Sequence, residues 1–149
     1  MDNIILSSLL ENRKNTAGII KKAKTLLEKT GITGLEERDI TEVSGGQLQR
    51  ACICRALMNE PEILFADEPT GALNSKSSEE IMELFSNINK NGTAVFLVTH
   101  DAKVASRADR VLFMKDGAIQ SELFLKKFNG RDMEKRLNQV NLRMRDFEI

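Results

Sequence analysis

An α/β fold built on a small parallel sheet is what this chain predicts, on three observations. Ile63, Leu64, Phe65 and Ala66 form a continuous apolar run stopped by Pro69, the pattern of a strand covered on both faces. TAVFLVTH, ending at His100, is a second run of the same kind. Between them, SKSSEEIMELFSNINKNG carries Ile81, Leu84, Phe85 and Ile88 at helical spacing, with Gly92 beyond its end. Strand, helix and strand in this order imply a right-handed parallel crossover.

Taken in order, the other elements fit this frame. Thr16 can cap a helix through TAGIIKKAKTLLEKTG, where Ile19, Ile20, Ala23, Leu26 and Leu27 share one face and Gly31 suits the C-terminal stop. A polar connector around GLEERDIT leads to VSGGQLQRA, and a helix is expected from about Gly46 to Asn59, ended by Pro61. Ser77 and Glu80 have capping-box spacing for the helix between the strands. A short helix near AKVASRA precedes two strand-like segments joined at Asp116-Gly117, a favoured hairpin turn. Near the C-terminus Met133, Leu137, Val140, Met144 and Phe147 form a seam of two heptads, too short for a sustained coiled coil and suited to lying against its own domain.

Composition narrows the function classes. The 149 residues suit one domain, and 22 basic against 22 acidic residues leave no net field to draw nucleic acid or an anionic membrane. With seven Phe but no Trp or Tyr, a base-stacking platform is not expected. No apolar run reaches the ~20 residues of a membrane span. The N-terminal MDNIILSSLLENRK lacks a signal peptide's basic start, so a cytoplasmic chain is expected. Cys52 and Cys54 sit two apart on a helix, point in different directions, and read as buried thiols rather than metal or redox groups.

Three places could carry chemistry. Ser44 and Gln47 have capping-box spacing, and Gly45 and Gly46 leave the first helical turn bare, so that its N–H groups can approach an anion closely. A Gly-Gly turn before a helix also serves capping alone. ILFADEP delivers Asp67 and Glu68 to the carboxyl end of a buried strand, where open α/β sheets bind ligands. One carboxylate on Mg²⁺ and the next polarising a water is what phosphoryl transfer to water requires, although acids at a strand end can also cap a neighbouring helix. His100 closes the second strand, where an imidazole can sense a phosphate or play a structural part.

Together these segments resemble the nucleotide-binding subunit of ATP-binding-cassette transporters. VSGGQLQRA is similar to the family's signature motif, ILFADEP to its Walker B strand and catalytic glutamate, GALN to its D-loop and VTH to its switch histidine. The resemblance runs from about Asp2 to Gly117 and looks most like the bacterial branch exporting lipoproteins, macrolides and antimicrobial peptides, bacitracin-type systems included. It implies that Ser44, Gly45, Gly46 and Gln47 contact the γ-phosphate of an ATP held by the opposite subunit of a head-to-tail homodimer. It implies further that Asp67 holds Mg²⁺ through water, that Glu68 is the general base and that His100 touches the γ-phosphate. Asn74 stands where the D-loop usually has Asp, keeping the hydrogen-bonding reach without the charge. The implied partner is a transmembrane permease subunit, with the chain peripheral at the inner face of the cell membrane and no nucleic acid bound.

One part of the family's pattern is missing. G-x-x-x-x-G-K-[ST] occurs nowhere, and no Gly precedes a Lys. The expected fold is therefore a partial P-loop NTPase three-layer α/β fold, a parallel-sheet remnant plus a helical subdomain, lacking the P-loop strand and the N-terminal β-subdomain. The expected organisation is a helical subdomain with the signature motif at 1–60, a sheet core at 61–121 and a C-terminal helical extension at 122–149. Apolar faces of EILFA and TAVFLVT are expected to lack cover, and hydrolysis by this chain alone is expected to be negligible. A naturally short, non-catalytic module docking on a permease is the alternative. A soluble cassette ATPase of DNA repair or translation is disfavoured, because neither a long heptad tract nor a basic patch is present.

Overall fold

The computed structural model describes residues 1–11 and 15–147. It divides into two compact units, Met1–Phe96 and Leu97–Ile149.

The first unit begins with three helices, α1 (Asp2–Glu11), α2 (Thr16–Thr30) and α3 (Gly45–Leu57). Their apolar faces converge on one core of Ile4, Ile5, Ile19, Ala23, Leu27, Ile32, Cys54 and Met58. Side chains such as Leu27, 1% exposed, each contribute about 1.5–3 kcal/mol by leaving water. The N-cap of α2 is Asn15 and not Thr16, because the Asn15 side chain accepts the Gly18 N–H while Thr16 already lies within the helix. Gly31 closes α2 in the left-handed conformation at φ 70°, as the sequence led one to expect. Arg50 of α3 ties this end down, donating to the Thr30 carbonyl at 2.8 Å and pairing with Glu80 at 2.9 Å.

β1 (Ile63–Asp67), α4 (Ser75–Lys90) and β2 (Ala94–Val98) form the expected crossover, with β1 and β2 paired in a small parallel sheet. The N-cap of α4 is Asn74, whose side chain accepts from the Ser77 N–H at 2.9 Å. Ser77 therefore occupies the third helical position and takes no part in a box with Glu80. Ile81, Met82, Leu84, Phe85 and Ile88 are buried on α4. The strands themselves are not covered on both faces. Leu64 is buried, yet Ile63 is 50%, Phe65 72% and Phe96 45% exposed, with the Phe65 and Phe96 rings 5.6 Å apart between centroids. Two continuous apolar runs thus form an alternating, one-sided sheet whose other face is open.

In the second unit a four-residue helix α5 (Ala102–Ala105) precedes the antiparallel hairpin β3 (Arg110–Lys115) and β4 (Ala118–Phe124). Asp116 at φ 52° and Gly117 at φ 76° make the expected two-residue turn, both in the left-handed region such turns require. α6 (Met133–Phe147) lies on α5 and the hairpin with Val140 fully buried and Met133, Leu137, Met144 and Phe147 half-buried. No helix among the described residues is long and apolar enough to cross a membrane.

Candidate functional site

The glycine turn is built by its caps. Ser44 Oγ accepts the Gln47 N–H at 3.3 Å, Gln47 Oε1 accepts the Ser44 N–H at 2.8 Å, and the Ser44 carbonyl accepts from Leu48 at 2.8 Å. The first-turn N–H groups that these bonds do not take belong to Gly45 and Gly46, and they lie at the positive end of α3. Neither glycine adds a side chain of its own that would stand between these groups and an anion.

This turn lies against the start of α4. A Cβ on Gly46 would stand 3.3 Å from Ser77 Cβ and Oγ, and one on Gly45 would stand 3.4 Å from Leu73 Cδ2. The structure therefore brings Ser44–Gln47 beside Asn74, so that the N-terminal ends of α3 and α4 are neighbours. Gly46 has a second reason to be glycine, since the approach of α4 leaves little room for a side chain.

Asp67 ends β1 with its side chain exposed, and Glu68 follows half-buried at φ 42°. Three non-glycine residues have positive φ among those described, and two have local reasons. Asp116 belongs to the hairpin turn, and Glu60 sits just past α3 with its carboxylate on Lys22 Nζ at 2.6 Å. Glu68 is bent where β1 breaks into two successive turns, Glu68 to Gly71 at 3.1 Å and Thr70 to Leu73 at 3.0 Å, with Pro69 in the favoured second position of the first. These turns deliver the chain directly to Asn74. Strand end, bent glutamate and helix cap form one continuous piece of backbone.

Among the described residues no three His, Cys, Asp or Glu gather to hold a metal ion. A Mg²⁺ bound by one carboxylate, waters and phosphate oxygens needs no such cluster, so an exposed Asp67 suits it. His100 follows β2 and belongs to the second unit, where Asp101 caps α5.

Of the two thiols expected to be buried, one is and one is not. Cys54 is fully buried, and burial pushes its pKa up to about 11, the Thr30 hydroxyl pulling partly the other way. Cys52 is exposed, because two residues along a helix turn the side chain about 200° away.

Sequence reasoning missed Arg136, which is 4% exposed. Its Nε donates to the Ser106 carbonyl at 2.6 Å and Nη2 to the Ala108 carbonyl at 2.7 Å, while Nη1 donates to the Lys126 carbonyl. A signal was present, because Arg136 stands three residues after Met133 and four before Val140, on the apolar seam itself.

The ABC transporter family model matches residues 4–71, spanning α1 through the signature turn to the turn after Glu68. The matched residues belong to the ATP-binding-cassette family. Over 106 residues the cassette is 49% identical to the macrolide export ATP-binding/permease protein of Wolinella succinogenes, covering 69% of this chain and 16% of that protein. It is 46% identical over 99 residues to an ABC transporter ATP-binding protein, YvrO, of Bacillus subtilis, covering 66% of this chain and 43% of that one. Among solved structures it is similar to the ATP-binding cassette MJ0796, a dimer in a post-hydrolysis state bound to ADP and Pi. That match has a TM-score of 0.70 and 39% identity over 85% of this chain and 56% of the other. The chain thus spans less than a fifth of the export protein and about half of the free-standing cassettes. The fold is that of P-loop NTPase cassettes, with a small parallel sheet.

Proposed function

We propose that these residues form the signature-motif and Walker B portion of the ATPase of a bacterial exporter, which hydrolyses ATP to drive transport through a membrane permease partner. The observation that carries this reading is the junction of the Ser44–Gln47 turn with the start of α4, which sets the Asn74 cap beside the glycine turn. Ser44, Gly45, Gly46 and Gln47, with Asn74 beside them, bind the γ-phosphate of an ATP seated on the opposite subunit of a homodimer. Asp67 would hold a Mg²⁺ ion through water, and that ion would supply neutralisation of charge on the phosphates. Glu68 accepts the proton of the attacking water, and His100 contacts the γ-phosphate and keeps the water and phosphate aligned. Matches to macrolide and syringafactin export proteins support an export role of this kind.

A P-loop must complete the site, because its lysine and backbone amides supply most of the triphosphate binding and positioning. The 149 residues alone are therefore expected to neither bind nor turn over ATP. Calorimetric titration of Mg-ATP, with Asp67→Ala as control, checks this. Heat of binding that Asp67→Ala weakens, or sustained phosphate release that Glu68→Gln stops, would mean that a site exists without the P-loop. The assignment of roles is tested in a cassette completed by joining a P-loop-bearing segment ahead of Met1. Glu68→Gln is expected to stop phosphate release there while ATP still dimerises the protein, and release that continues overturns the role of Glu68.

A further inference from the structure

The buried guanidinium of Arg136 lies in the same unit as His100 and is joined to it through α5. A helix of four residues has almost no stability of its own, so α5 stands only if both ends are held. At its start, Thr99 Oγ1 accepts the Asp101 N–H at 3.1 Å, and Asp101 Oδ1 accepts from Lys103 at 2.7 Å and from Val104 at 3.4 Å. The residues on either side of His100 are thereby tethered. At its end, the hydroxyl of the fully buried Ser106 donates to the Lys103 carbonyl at 2.7 Å. The next carbonyls, of Ser106 and Ala108, are the ones Arg136 takes.

We propose that Arg136 is a positioning residue for His100, its forked guanidinium gripping the carbonyls that follow α5 and so fixing the turn on which the imidazole is mounted. The inference rests on the reading of His100 as a phosphate contact. The fork suits the task better than an ammonium would. Three N–H vectors in one plane reach three separate carbonyls, whereas a lysine presents a compact point charge with no such plane. The grip is also preorganised. Phe128 packs under the guanidinium at 5.4 Å from ring centroid to Cζ, and Arg107 covers the same ring at 5.4 Å. Asp109 and Asp132 act on the charge through space. Val140, one turn further along α6, is fully buried and locks the helix that carries Arg136. Through this side chain the position of α6 is communicated to the segment bearing His100.

The chain has a single histidine, so its imidazole resonances report on His100 alone. We would compare the 149-residue chain with Arg136→Met, which keeps an apolar stem and removes the fork, and with Val140→Ala, which loosens α6 but leaves the fork. Arg136→Met is expected to shift and broaden the His100 resonances and to speed amide exchange at Val104 and Ser106 at least tenfold, with Arg136→Lys restoring only part of the loss. Val140→Ala is expected to speed exchange along α6 and leave His100 in place. A folded Arg136→Met whose His100 resonances stay at wild-type positions overturns the proposal and leaves Arg136 a plug for α6. Should Arg136→Met not fold, exchange in the unmodified chain under rising urea decides. Val104 and Ser106 opening together with α6 supports the link, and opening independently of it overturns the link. None of these readouts involves nucleotide, so a failure of the phosphate-contact reading would leave them unmoved.

Discussion

The three-helix region and the two strands that follow it dispose of apolar surface in opposite ways. Leu27 on α2 keeps 1% of its surface in water, while Phe65 on β1 keeps 72%. Both are large apolar residues in apolar runs, and the difference lies in geometry. Short helices with one apolar stripe each can close around a common axis using neighbours in sequence. A two-stranded parallel sheet has two faces and two edges, and α4 can cover only one of the faces. The helical region is complete by itself, whereas the strands present a face made for something else.

The sharpest way to break this comparison is to shave one residue from each region. Leu27→Ala is expected to destabilise the chain by about 2–5 kcal/mol, the cost of a cavity in a closed core. Phe65→Ala is expected to change stability by no more than about 0.5 kcal/mol, as exposed positions do. Urea denaturation followed by far-ultraviolet circular dichroism measures both. Comparable losses at the two sites would mean that the open face is covered in solution.

Helix α3 allows the comparison to be drawn within one element, since Cys54 faces the core and Cys52 faces water. A thiol held at about 11, against 9.0 for an ordinary one, stays protonated in the folded chain while the unfolded chain ionises first. The sign follows from proton counts. Below pH 9 both states hold the proton and the contribution to stability is whole; from pH 9 to 11 the unfolded state holds fewer, and stability falls by something on the order of 2 kcal/mol. Cys54→Ala should remove this alkaline limb. At pH 8 a thiol reagent should modify Cys52 at once and Cys54 only as fast as the chain unfolds.

Caps come next in size. Ser44→Ala and Asn74→Ala each remove a side-chain acceptor from a helix start and are expected to cost about 1 kcal/mol, read from the same denaturation curves. The Asn74 effect also tests the corrected cap of α4, because Ser77→Ala should then cost much less.

What could be read in advance follows the range of the forces involved. Gly31, the Ser44 box and the Asp116-Gly117 turn were legible because each depends on a few consecutive residues. The caps at Asn15 and Asn74 were misplaced by short distances, because several polar residues precede each helix and the choice among them is made by how the chain enters it. The open face of β1 and β2 was legible only through the missing P-loop strand, since a continuous apolar run by itself looks the same whether its second face is covered within the chain or not. Arg136 escaped for the opposite reason. Its role depends on carbonyls of Ser106, Ala108 and Lys126, groups that every residue possesses and no sequence pattern marks.

The smallest effects are expected at the two glycines, and they bear most directly on function. Replacing glycine by alanine in a helix is worth up to about 1 kcal/mol where the methyl fits. At Gly45 the methyl would meet only the flexible end of Leu73 at 3.4 Å, so Gly45→Ala should stabilise the chain slightly. At Gly46 it would press on Ser77 Cβ and Oγ at 3.3 Å, and the gain should be cancelled. Denaturation midpoints of the two variants, with Gly46→Ala repeated in a Ser77→Gly background, separate crowding from propensity. If Gly45→Ala does stabilise, a glycine stands at position 45 at a cost to stability, and the reason must be sought in what approaches the start of α3 from outside. If it destabilises instead, the bare turn is an internal packing requirement, and the case for a phosphate there rests on the caps alone.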